Sequence, residues 1–202
     1  MFYRTTPSVA RGKGAGLVEV FSLNSNLKPE GDHPRRSNTT VEHAHWYGVQ
    51  KAWLKSKLAE STAAFKVVMF HHPPFSTAVH DPLAVWMDWP FAEWGASLVL
   101  NGHQHTYERI HAPSRGNLTF IVNGLGGNPW IYEVEGCRAV SPGSQFRYNR
   151  GHGAQMGVVR ERIVDGSPVH TLHLCFYGIT ERGKMLDHTA IPQSHNGYNS
   201  SR

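Results

Sequence analysis

The chain has 202 residues, 40% of them hydrophobic and 17% charged, with a formal net charge of +5 and a mean hydropathy of −0.41. This balance excludes a disordered chain, and the length suits one domain with a core of its own. No run of about 18 apolar residues is present to span a membrane, and Met1–Pro7 lack the apolar stretch of a secretory leader. Two cysteines, Cys137 and Cys175, exclude a disulfide-dense scaffold and a four-cysteine zinc module. The basic residues are scattered, with Arg35-Arg36 the only adjacent pair, so no dedicated nucleic-acid surface is expected, although the positive charge favours anionic substrates. The unusual number is 14 histidines, about threefold above ordinary usage, and histidine is the commonest metal ligand.

In chain order, Gly16–Leu23 is apolar and β-branched or aromatic and reads as a strand, followed by a polar loop over residues 24–45. Residues 47–60 read as a helix. Val49 and Trp53, then Leu54 and Leu58, recur four residues apart, with Lys51, Lys55 and Lys57 on the wet side. Lys66–Phe70 is a short buried strand ended by Pro73-Pro74. Residues 83–94 read as a helix around Pro90, and Ser97–Leu100 as a second buried strand, giving a βαβ-type layer. After residue 117 the pattern turns to strands: Leu118–Val122, Gly157–Ile163, Val169–Phe176 and Ile179–Ala190, with Gly124–Gly127 a loop and 191–202 a tail. Residues 1–190 are expected to form one α/β domain, β-rich in its C-terminal half.

Two loops carry the chemistry, and each follows a buried strand. One is His71-His72-Pro73-Pro74, and the other runs from Gly102 through His103-Gln104-His105 to Arg109. In open α/β sheets ligands bind beyond the carboxyl ends of the strands. Residues i and i+2 of an extended segment point the same way, so His103 and His105 are expected to face one pocket that His71 joins from the neighbouring strand. Three imidazoles there make a site for Zn, Fe, Mn or Ni. His72 is either a pocket residue or packed under Pro73.

These residues resemble the calcineurin-like metallophosphoesterases, and within them the purple acid phosphatase group. The resemblance rests on Val68-Met69-Phe70-His71 and Gly102-His103-Gln104-His105, with Phe21–Asn26, His71–Ser76, Trp89-Pro90-Phe91, Trp94-Gly95-Ala96 and Val122–Gly127 around them, over residues 15 to 190. It implies a four-layer αββα sandwich with two metals at the strand ends, iron paired with zinc, manganese or a second iron. It further implies that His71 and His103 bind one metal and His105 the other, and that His80 lies near the phosphate and leaving group. Apart from the resemblance, His72 is kept as a second catalytic candidate. The implied activity is hydrolysis of phosphoric esters of the acid phosphatase kind, and family members of this type are often secreted.

The family's first three metal-binding blocks, Asp-x-Gly, Gly-Asp-x-x-Tyr and Gly-Asn-His-Asp/Glu, have no counterpart here. Gly31-Asp32-His33 lies in a Pro-rich loop and has no tyrosine at the required place. The chain therefore reads as the C-terminal half of such a domain. A missing N-terminal half or a second chain would supply the other ligands. Two alternatives stand beside the phosphatase: a catalytically inactive metal-binding or interaction module, and a mononuclear zinc hydrolase using His71, His103 and His105.

Overall fold

The computed structural model describes residues 3–5, 16–29, 41–78, 83–132 and 143–193. Seven strands form one mixed sheet in the order β1 (Tyr3–Thr5), β2 (Val18–Ser22), β3 (Phe65–Met69), β4 (Leu98–Asn101), β6 (Leu118–Asn123), β5 (Tyr107–Ala112) and β7 (Ser144–Tyr148). β2, β3, β4 and β6 run parallel, and β1, β5 and β7 pair antiparallel. A second, antiparallel sheet has the order β10 (Lys184–Pro192), β9 (Ser167–Gly178) and β8 (Gly153–Val164). The one long helix among the described residues, α1, spans Val41–Glu60. The result is the mixed α/β, strand-rich sandwich expected.

The central strands are mostly apolar because both their faces are covered. Phe21, Val68, Val99 and Phe120 face Leu54 and Leu58 of α1 and the aromatics of the segment between β3 and β4. Phe65, Val67, Leu98 and Ile121 face Leu172, Leu174 and Phe176 of β9. A buried polar knot adds to this second seam. Arg109 of β5 donates to both carboxylate oxygens of Asp187 on β10, from Nε at 2.8 Å and Nη2 at 3.0 Å, and the Tyr107 hydroxyl donates to Oδ2 at 2.9 Å. The arrangement is bidentate and charge-assisted, the strong form of an ion pair.

Four expectations need correction. Residues 83–94 form no α-helix. A single 3₁₀ turn at Val85–Met87 is followed by turns. In a helix the Trp86 carbonyl would accept from the N–H four residues on, which is Pro90 and has none; it accepts instead from the Tyr47 hydroxyl and from Trp89 Nε1, each at 2.8 Å. The helix expected from residue 47 begins at Val41, so His43, His45 and Trp46 are helical, not loop. Their turns are mostly exposed and carry no apolar repeat to read. Tyr107–Arg109, read as loop, opens β5. Its charged Glu108 is fully buried, accepting from the Thr77 N–H (2.8 Å) and the Ser76 (3.2 Å) and Ser144 (2.6 Å) hydroxyls. Ile179–Gly183 is a turn with Arg182 at φ 56°, and the last strand runs from Lys184 to Pro192, past the expected start of the tail. Residues 194–202 of that tail lie outside the described residues.

Candidate metal centre

β2, β3, β4 and β6 end together in Ser22, Met69, Asn101 and Asn123, which with His71 help line a cavity of about 480 Å³. The parallel pairing of β3 and β4 sets their following loops side by side, and the Gly102 N–H donates to the His71 carbonyl at 3.0 Å. Gly102 brings the chain close to the ring: a Cβ there would sit 3.5 Å from His71 Nδ1.

Three rings converge at this edge. His71, His72 and His103 each offer a nitrogen within 4.8 Å of the other two. Ring centroids are 4.7 Å apart for His71 and His72, 4.9 Å for His71 and His103, and 4.4 Å for His72 and His103. His103 Nδ1 lies 3.1 Å from His71 Nε2. Three clustered imidazoles on two rigid strand ends are the donor set that zinc and its neighbours take, so the residues fit a transition-metal ion.

The pocket is not built from the i, i+2 pair. His103 adopts φ 65°, a left-handed conformation that breaks the extended geometry and turns its ring to His71 and His72. His105 stands outside the three-ring group. Its ring stacks on Tyr132 at 4.3 Å and 24°, and its Nδ1 is buried without a hydrogen-bond partner. His72 is in the group instead. His80 lies outside the described residues.

Sequence reasoning missed the support behind His72. The Ser25 hydroxyl oxygen accepts the His72 backbone N–H at 3.1 Å and meets the ring Nδ1 at 2.8 Å. With the proton on Nδ1, the ring donates to Ser25 and Nε2 keeps a lone pair, the usual orientation of a metal-ligating imidazole. Ser25 is itself held: its carbonyl accepts from Trp86 Nε1 at 3.1 Å. Buried Gln50 of α1 clamps the preceding residue, accepting the Asn24 N–H at 2.7 Å and donating to the Asn24 carbonyl at 3.2 Å. The available signal was a glutamine on the apolar side of α1, four residues before Leu54.

A second support lies under His103–His105. Gly124 packs so closely on this loop that a Cβ would come within 2.0 Å of the Gln104 carbonyl oxygen, and its N–H donates to the Thr106 carbonyl at 3.0 Å. Only glycine fits that approach. The Gly-rich loop after β6 is thus the platform on which the histidine loop rests.

Comparison with known proteins accords with this geometry. Residues 3–107 match the family described as calcineurin-like phosphoesterase. Two curated proteins of Mycobacterium tuberculosis, "Uncharacterized protein MT2654" and "Uncharacterized protein Rv2577" from different strains, are each 32% identical over 113 residues, covering 52% of this chain and 20% of theirs. The aligned region thus spans a fifth of the length of these relatives. Among solved structures, that titled "GAP50 the anchor in the inner membrane complex of Plasmodium" superposes with a TM-score of 0.62 at 14% identity, over 96% of this chain and 55% of that one. At that identity the likeness speaks for the fold. The family match covers more than half of the residues and includes both histidine loops up to Tyr107, so the chain belongs to the calcineurin-like phosphoesterase family.

Proposed function

We propose that this chain carries out metal-assisted hydrolysis of phosphoric esters, as the C-terminal half of a purple acid phosphatase-type domain over residues 1–190. The observation that carries the reading is the convergence of His71, His72 and His103 at the carboxyl ends of β3 and β4 in a chain of this family. These three residues would hold a divalent ion such as zinc, manganese or iron. Such an ion supplies Lewis-acid chemistry, polarising a phosphoryl oxygen and lowering the pKa of water. The chain's own part is orientation. Ser25 fixes the His72 ring, the Gly102 N–H to His71 carbonyl bond locks the two loops together, and the net charge of +5 attracts an anionic ester.

The metal-ligating group among the described residues is all imidazole, with no carboxylate. That supports one ion held by this chain alone, and a two-ion centre in which a further N-terminal segment or second chain brings carboxylates and His105 serves the second ion. His80 would lie near the phosphate, as the resemblance to the purple acid phosphatase group implies.

The test combines metal counting with turnover of a chromogenic phosphomonoester by the purified chain. Turnover that requires added metal, stops on chelation and falls at least about a hundredfold in His103→Ala supports the reading. Stoichiometric metal binding with no turnover under any metal would identify an inactive metal-binding module instead.

A further inference from the structure

A second pair of imidazoles lies on the other sheet. Along β9, Leu172, Leu174 and Phe176 point into the seam between the sheets, so His173, Cys175 and Tyr177 stand on the opposite face. β10 pairs with β9 so that His188 is opposite Cys175 and Ala190 opposite His173. His173 and His188 are therefore diagonal neighbours on one face. Their rings are 17° from parallel with centroids 5.2 Å apart, and His173 Nδ1 lies 3.0 Å from His188 Nε2.

We propose that His173 and His188 form a bidentate surface site for a divalent transition ion of the nickel, copper and zinc class, separate from the centre at the strand ends. Two nitrogens 3.0 Å apart, each about 2.1 Å from an ion, subtend about 90° at it, the cis angle of octahedral and tetragonal coordination. The hydrogen bond now joining the rings directs one lone pair at the other ring's proton. A shift of that proton to the ring's other nitrogen, which keeps the imidazole neutral, and a swing of each ring about χ2, a broad torsion, turn both lone pairs to a common point.

The surroundings set the strength of the site. Partial desolvation, then Arg160 and His188, hold the His173 imidazole below its ordinary value. Arg160, two strand positions along from His173's partner Val158, repels a cation and keeps affinity moderate. No third histidine, cysteine or carboxylate joins the pair into a compact group among the described residues, so the pair binds more weakly than the three-ring group at the strand ends.

Titration of the whole chain with nickel(II), followed by calorimetry at pH 7.5, separates the two sites. The wild type is expected to show a tighter and a weaker class of bound ion. His188→Ala should weaken the second class by more than about tenfold and leave the first in place, while His103→Ala should do the reverse. Far-UV circular dichroism checks the fold, and His173→Gln, which keeps a hydrogen-bonding side chain but removes the imidazole, replaces His188→Ala if that variant does not fold. A His188→Ala or His173→Gln protein that retains the full wild-type isotherm overturns the proposal, as does a wild type with a single class abolished by His103→Ala. Loss of the weaker class in His188→Ala, with no change in His103→Ala, upholds this site and counts against the proposed centre at the strand ends.

Discussion

The central strands of the seven-stranded sheet are packed on both faces within this chain, whereas the three-stranded sheet is packed on one. Val68 and Val99 are covered by α1 and its neighbours on one side, while Phe65 and Leu98 meet β9 on the other. On the three-stranded sheet, Met156, Val158, Ile163 and Met185 remain substantially exposed. The difference explains where each sheet's order comes from. The larger sheet is fixed by apolar packing in two layers. The smaller one depends on one apolar seam and one polar knot, and both join it to the larger sheet. The three converging histidine rings accordingly lie on the larger sheet, at the ends of strands packed on both sides.

The sharpest way to break this dependence is at the seam. Phe176 is fully buried and stacks on Tyr107 at 3.8 Å and 12°. Phe176→Ala is expected to cost about 3–5 kcal/mol. If the three-stranded sheet has no independent stability, chemical denaturation of the variant will remain a single transition at a lower midpoint. A separate early loss of strand signal would mean the two sheets unfold as distinct units.

Breaking the polar knot should have the next strongest effect. Burial raises the Asp187 carboxyl, but hydrogen bonds from Arg109 and Tyr107 outweigh it and hold the group below the ordinary aspartate value. Arg109 is about one-fifth exposed, so the loss in Asp187→Asn is put at about 2–3 kcal/mol, below that of a fully buried pair. The sign of the pH dependence follows. A depressed folded value means the contribution is complete above the unfolded carboxyl value of about 3.9 and is lost as pH falls toward the folded one. Wild-type stability should therefore fall more steeply than that of Asp187→Asn below about pH 4, as read from denaturation midpoints across pH.

Most of the larger sheet was legible in the sequence and little of its polar support was. Lys66–Phe70 and Ser97–Leu100 announce themselves because each is apolar after its first residue, as a parallel strand covered on both faces tends to be. Both histidine loops were legible for the same reason, since they begin where those runs stop. Glu108 hid β5, because a carboxylate reads as solvent-bound until the Ser76, Thr77 and Ser144 groups that meet it are placed across 30 or more residues of chain. The rings that converge are His71, His72 and His103, with His105 outside that group. The group's geometry depends on the positive φ of His103, which no periodicity encodes, and on Ser25, which lies 47 residues from His72 in sequence.

Gly124→Ala tests whether the wall beneath the histidine loop is as rigid as that packing suggests. A methyl group directed within 2.0 Å of a backbone carbonyl cannot be absorbed by a rotamer change, so the loops must part. The expected cost is about 1–3 kcal/mol, measured by thermal unfolding, with weaker metal binding at His71, His72 and His103. Full retention of metal affinity would show that the histidine loop does not depend on its platform.

Ser25→Ala is the finest of these changes and separates stability from site geometry. It removes one hydroxyl that meets both the backbone and the ring of His72, while Gln50 still holds Asn24 and Trp86 still holds the Ser25 carbonyl. The turn therefore stays in place, and the stability cost is about 1 kcal/mol. The His72 ring, however, loses the partner that fixes its tautomer and direction, and metal affinity at the strand ends should fall by about tenfold. Ion binding at His173 and His188 should be unaffected, because that pair sits on the other sheet and draws no support from Ser25. Unequal responses at the two sites would locate the preorganisation in the side chains behind His72. Equal weakening at both would mean that the change acts through the fold as a whole.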